Sequence, residues 1–180
     1  MIVLATTALL FGSACANNSD SRVPSSAASS SIIPPVARAG SVSITGAVAA
    51  PRQITVADLR NYPAKTQAVT FASSKGDQSH TYVGASIIDV LAAAEPVTDS
   101  AVKNPTLRLV VVATGADEYR AALSWGEFDP GFAATPVLIA YREDDIDLTA
   151  PRLVVPGDIK GGRYVSDLTS LTVIDTGAAR

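Results

Sequence analysis

From residue 42 onward, apolar and polar positions alternate in short runs broken by Gly, Pro and Asp, a pattern that predicts many strands and few helices. "SVSITGAV" puts Val42 and Ile44 on one face, followed by Ala47 or Val48, and reads as a strand with a bulge or tight turn at Gly46. "ITVADLRNYP" predicts a short helix capped by Thr55 and stopped before Pro63. "QAVTFAS" is a strand, and "SKGDQSHTYVG" a turn into a second, short strand at Thr81 to Val83. The period changes at Ser86: in "SIIDVLAAAEP", Ile88 and Leu91 stand at helical spacing, Ser86 is a candidate N-cap with Asp89 three residues on, and Pro96 follows the end. "LRLVVVAT", "YRAALS", "PVLIAYR", "RLVVP" and "LTVID" complete the strands. Their connections are too short for regular βαβ crossovers, so the expected class is α+β, a mixed or antiparallel sheet with a few short helices.

The text before residue 41 is different in kind. "MIVLATTALLFGSACA", residues 1–16, is uncharged, and its apolar stretch from Ile2 to Phe11 has the length of a signal h-region, short of a bilayer span. Cys15, the sole cysteine, follows "LFGSA", which resembles a bacterial lipobox and predicts lipidation and a membrane tether. The other reading is an A-x-A cleavage site that discards Cys15. Both give an exported protein, and lipidation would hold it in the cell envelope. Residues 17–40, rich in Ser, Ala and Pro, read as a flexible linker, residues 41–176 as the folded domain and residues 177–180 as a tail.

The 180-residue chain has enough apolar content for one core. A net charge of −3 without a basic cluster argues against a nucleic-acid partner. A lone cysteine permits no intrachain disulfide and no Cys-rich metal site.

The stretches "ITGAVAAPRQITVADLRNYP", "YVGASIIDVLAAA", "ADEYRAALSWGEFDP", "PVLIAYREDDIDL" and "PRLVVPGDIKGGRYVSDLTSLTV", in this order, resemble the oxidoreductase molybdopterin-binding domain of the sulfite oxidase family. The resemblance implies a mixed-sheet α+β domain and, in complete members, molybdenum held by a pterin dithiolene. It implies a cofactor-phosphate contact at Arg163, and beside it the close backbone amides of Gly161 and Gly162, with Lys160 as a differently placed second cation, suit an anion as the bidentate guanidinium does. It also implies a substrate-facing hydroxyl at Tyr119, the candidate catalytic residue. Complete members carry a metal-ligating Cys where this chain has Phe71, Ala72, Ser73 and Ser74, and a further Lys where it has Ser166. No Arg pair marks residues 1–16 as a leader for folded, cofactor-loaded export. Two expectations follow: a molybdopterin-dependent oxidoreductase-like protein, or a non-catalytic envelope module that keeps the fold and recognises a small anion or a partner protein.

Other motifs are weaker. His80, the sole histidine, lacks a G-x-S-x-G elbow and reads as a surface or hairpin residue in a polar turn. The acids of "REDDIDL" have no EF-hand spacing and read as a hairpin tip. Asp117 and Glu118 read as a turn before Tyr119 or an acid pair in a pocket, and Trp125 and Phe128 as core packing or a lid.

Overall fold

The computed structural model describes residues 40–133 and 135–177. The expected leader, Cys15 and the linker as far as residue 39 lie outside them, as do residues 178–180 of the tail. Among the described residues nine strands form two sheets, with the order β2-β1-β9-β5-β6 in one and β3-β4-β7-β8 in the other. The first sheet comprises β1 (Ser41–Gly46), β2 (Arg52–Thr55), β5 (Leu109–Gly115), β6 (Arg120–Ser124) and β9 (Leu168–Asp175). The second comprises β3 (Ala64–Ser73), β4 (Gly76–Ser86), β7 (Leu138–Glu143) and β8 (Ile146–Val154). β1 and β9 pair in parallel and all other pairs are antiparallel, which makes the first sheet mixed.

The main core draws Val42, Ile44, Val111, Leu123 and Leu171 from the first sheet and Ala85, Ile139, Tyr141 and Leu153 from the second. β5 buries alternate residues fully and the ones between them partly, although its sequence from Leu109 to Ala113 is apolar without a break. β7 is apolar from Leu138 to Tyr141, where it is buried on both sides, and ends in Arg142 and Glu143. Ile139 and Tyr141 enter the main core, while Leu138 and Ala140 join a second cluster with Val69, Tyr82 and Val154. Fully burying one such leucine is worth about 1.5–3 kcal/mol.

Gly46 is at φ +93°, where a Cβ would meet the Val173 carbonyl oxygen at 2.0 Å. Glycine therefore lets the chain turn out of β1 while the Ala47 amide donates to that carbonyl at 2.8 Å.

The helix expected at "ITVADLRNYP" is one turn, α1 (Val56–Leu59). Thr55 caps it as expected: the Asp58 amide donates to Thr55 Oγ1 and the Thr55 amide to Asp58 Oδ2. Residues before it form β2, with Ile54 opposite Val42. Pro63 disfavours helical backbone at Tyr62 and limits its length. The second helix, α2 (Ile87–Ala92), starts after Ser86, which has the extended backbone of an N-cap but makes no side-chain capping bond.

Two elements differ from expectation. β4 runs eleven residues, so the stretch read as a polar turn is strand and only its tip at Ser74 and Lys75 turns. Its outer half lacks apolar alternation; the ladder with β3 holds it, helped by the Thr70–Ser79 hydroxyl pair at 3.1 Å. β8 is likewise a single nine-residue strand. It tolerates Pro151 because it is an edge strand whose ladder is irregular between Ala140 and Arg142. "REDDIDL" forms the β7–β8 hairpin as expected, with Asp144 and Asp145 at φ +47° and +67°, the left-handed pair of a tight hairpin turn. Trp125 and Phe128 pack in the core with ring centroids 5.2 Å apart.

Candidate functional site

Between β8 and β9 the chain makes an excursion closed at its base by reciprocal backbone bonds between Leu153 and Val165. The excursion turns at Pro156-Gly157, with Gly157 at φ +90°, and carries a single 3-10 turn over Gly161–Arg163. It is fastened to the end of β3: the Ala72 amide donates to the Ile159 carbonyl at 2.8 Å, and Ala72 forms a parallel bridge with Lys160. A cleft of about 520 Å³ lies there, lined by Phe71, Ala72, Ser73, Ser74, Lys160, Gly161 and Gly162. The stretch where the resemblance places a metal-binding thiolate thus faces the loop where it places the phosphate anchor.

The glycines of the loop serve different ends. A Cβ on Gly161 would stand 2.6 Å from the Phe71 ring, so its absence lets that ring close against the loop. A Cβ on Gly162 would meet nothing within 4 Å.

Arg163 is paired with two carboxylates of the protein itself. Its Nε donates to Asp158 Oδ2 at 2.9 Å and its Nη2 to Asp158 Oδ1 at 2.6 Å, a bidentate fork, while Nη1 donates to Glu127 Oε2. Bonding to Asp158 and then to Glu127 pushes the guanidinium pKa further up from an already high value. Lys160, by contrast, is exposed and has no hydrogen-bond or ion-pair partner for its side chain among the described residues. It is the cation that the cleft presents.

Tyr119 lies just before β6, 48% exposed, and its hydroxyl donates to the Gly162 carbonyl. The side chain braces the loop from the β5–β6 side. Asp117 and Glu118 form the turn: Asp117 Oδ1 accepts the Tyr119 amide at 3.0 Å, and Glu118 has φ +65°.

A polar network that sequence reasoning missed runs behind the Phe71 wall. Tyr82, fully buried, donates its hydroxyl to Glu143 Oε1 at 2.9 Å and accepts from Arg152 Nη1 at 3.1 Å. Arg152 also donates to Glu143 Oε2 at 2.8 Å and to Ser166 Oγ at 2.7 Å, linking the β7–β8 hairpin to the excursion. His80 Nδ1 lies 2.6 Å from Asp144 Oδ2 and 3.3 Å from Glu143 Oε1. Tyr164 stacks on Phe71 at a centroid distance of 4.4 Å, and its buried hydroxyl has no partner. The signal for this network was faint, since His80 and Asp144 are 64 residues apart and only the β4–β7 pairing joins them.

No family model matches the chain, and no curated protein matches it. Among solved structures, the sulfane dehydrogenase SoxCD from Paracoccus pantotrophus matches with a TM-score of 0.60 and 20% sequence identity, over 75% of this chain and 38% of that one. At this identity the likeness is one of fold, and it agrees with the α+β class expected from the sequence. The chain spans well under half the length of that neighbour.

Proposed function

We propose that this chain is a non-catalytic binding module of the cell envelope, built on the fold it shares with the sulfane dehydrogenase, and that the cleft between β3 and the Lys160 loop takes a small anion. The observation that carries this reading is the division of labour between the two loop cations. Arg163 is neutralised by Asp158 and Glu127, whereas Lys160 stands unpaired beside Ser73 and Ser74 at the cleft. The Ser73 hydroxyl donates to the Gly76 carbonyl at 2.9 Å, so the lysine ammonium and the Ser74 hydroxyl are the groups that suit a compact oxyanion.

The residues present do not fit a molybdenum pterin. Ala72 and its neighbours offer no thiolate, the soft ligand that would fix such a metal in the protein, and no described residue is a cysteine. The guanidinium that the resemblance assigns to the pterin phosphate is taken up by two carboxylates. No redox step is therefore assigned. Cys15 supplies the envelope tether in this reading, through lipidation at the exported N-terminus.

The test has two arms. Protein made in a host that assembles molybdopterin is expected to contain no stoichiometric molybdenum and no pterin fluorescence; one equivalent of either sinks the non-catalytic reading. Titration with inorganic phosphate or sulfate is expected to give saturable binding that Lys160→Met weakens roughly tenfold, the loss of about 1.4 kcal/mol. Equal binding by the variant discards the cleft as the site.

A further inference from the structure

Behind the Phe71 wall, at the junction of β4 with the β7–β8 hairpin, we infer a binding site for a divalent first-row transition cation of the zinc type, held by His80 Nδ1, Glu143 Oε1 and Asp144 Oδ2. The inference does not depend on the anion reading of the cleft.

The three ligand atoms all lie within 4.8 Å of one another, although His80 of β4 is 64 residues from Asp144, which directly follows Glu143 at the end of β7. In a four-coordinate zinc site with bonds of about 2.0–2.1 Å, neighbouring ligand atoms stand about 3.3 Å apart. The separation of His80 Nδ1 from Glu143 Oε1 is 3.3 Å. That of His80 Nδ1 from Asp144 Oδ2 is 2.6 Å, the length of a pair sharing a proton. Replacing the proton by a cation requires this pair to open by about 0.7 Å, within the reach of the Asp144 side chain, which is 47% exposed.

The two carboxylates are held by neighbouring groups. Asp144 Oδ1 accepts the Thr81 amide at 2.8 Å, leaving Oδ2 to face the imidazole. Glu143 Oε2 is held by Arg152 at 2.8 Å, and the Tyr82 hydroxyl steadies Oε1 at 2.9 Å. The imidazole neighbours the rings of Phe71 and Tyr82, with centroids 6.1 and 5.9 Å away. Such outer contacts fix the orientation of metal ligands in protein sites generally.

The donor set selects the class of ion. One imidazole with two carboxylates is a borderline set, matched to Zn²⁺ and its neighbours. It has too few oxygens for Ca²⁺, and its nitrogen is a poor ligand for Mg²⁺. Charge also fits: two carboxylates against the Arg152 guanidinium leave one net negative charge to receive the ion. The open side toward Asp144 leaves a fourth position for water.

The full-length chain carrying Cys15→Ser, which removes the sole thiol as a competing ligand, is titrated with Zn²⁺ by calorimetry and with Co²⁺ by visible absorption. One equivalent of each is expected, with a Co²⁺ d–d band. His80→Ala and Asp144→Asn are each expected to lower affinity by about 100-fold or more and to abolish the band, with circular dichroism unchanged. Asp77→Asn, an exposed acid of β4 outside the cluster, is expected to bind as the parent does. Absence of binding at millimolar Zn²⁺, or equal affinity in His80→Ala, overturns the site.

Discussion

The Ala72 amide donates to the Ile159 carbonyl at 2.8 Å, and this bond sets the end of β3 against the Lys160 loop. A thiol introduced by Ala72→Cys, in a Cys15→Ser background, would stand at the cleft beside the Lys160 ammonium, which favours thiolate. The expected outcome is alkylation of the folded protein faster than that of a cysteine at exposed Ser79, with Lys160→Met removing most of the advantage. Saturating phosphate is expected to change the alkylation rate, since it shares the cleft. A rate insensitive to both Lys160 and phosphate would place the side chain away from the proposed anion site.

The pairing of Arg163 with Asp158 sets a second expectation. Asp158→Asn together with Glu127→Gln leaves the guanidinium without a carboxylate and converts it into a second cation for the cleft. Because Arg163 keeps 35% of its side-chain surface exposed, the stability cost is small, about 1 kcal/mol or a fall in Tm of about 2–4 °C. The affinity for sulfate or phosphate is expected to rise, and that rise is to be lost when Arg163→Met is added. Thermal shifts measured across an anion series check both effects.

Some of this arrangement was legible in the sequence and some was not, for reasons of distance and polarity. Val42 and Ile44, the apolar run of β5 and the Thr55 cap announced themselves because local pattern and burial agree there. β2 and the outer half of β4 did not, because exposed polar strands have no apolar period and depend on the ladder with a neighbour. At the loop, Asp158 lies five residues before Arg163, yet its claim on the guanidinium needs the Pro156-Gly157 turn to fold it back. Glu127 lies 36 residues away, and only the tertiary fold brings it to Arg163. The juxtaposition of Ala72 with Lys160 was implied by the family resemblance and by no local signal.

Tyr82 and Tyr164 make a paired test of buried hydroxyls. Tyr82 bonds Glu143 and Arg152, so Tyr82→Phe leaves Glu143 short of a donor and is expected to destabilise by about 1–2 kcal/mol. Tyr164 has a buried hydroxyl with no partner, so Tyr164→Phe is expected to be neutral or stabilising by up to about 1 kcal/mol while keeping the stack on Phe71. Urea denaturation of the two variants decides it. A Tyr164→Phe protein as destabilised as Tyr82→Phe would mean that its hydroxyl is bonded in solution.

The same two phenols govern stability at high pH. Burial pushes both up to about 12; for Tyr82 the adjacent Arg152 partly opposes the shift, and for Tyr164 the charge of Asp158 adds to it. The ordinary phenol value is about 10, so the folded state favours the protonated form. Its contribution is complete below about pH 10 and is lost as pH rises through about 12, because the unfolded chain releases these protons first. Of the five tyrosines, two are therefore expected to ionise only together with loss of far-ultraviolet circular dichroism. In Tyr82→Phe/Tyr164→Phe that coupling should disappear, and alkaline unfolding should be shallower over this window. Ionisation of all five near pH 10 with the dichroism intact would show that neither hydroxyl is buried as described.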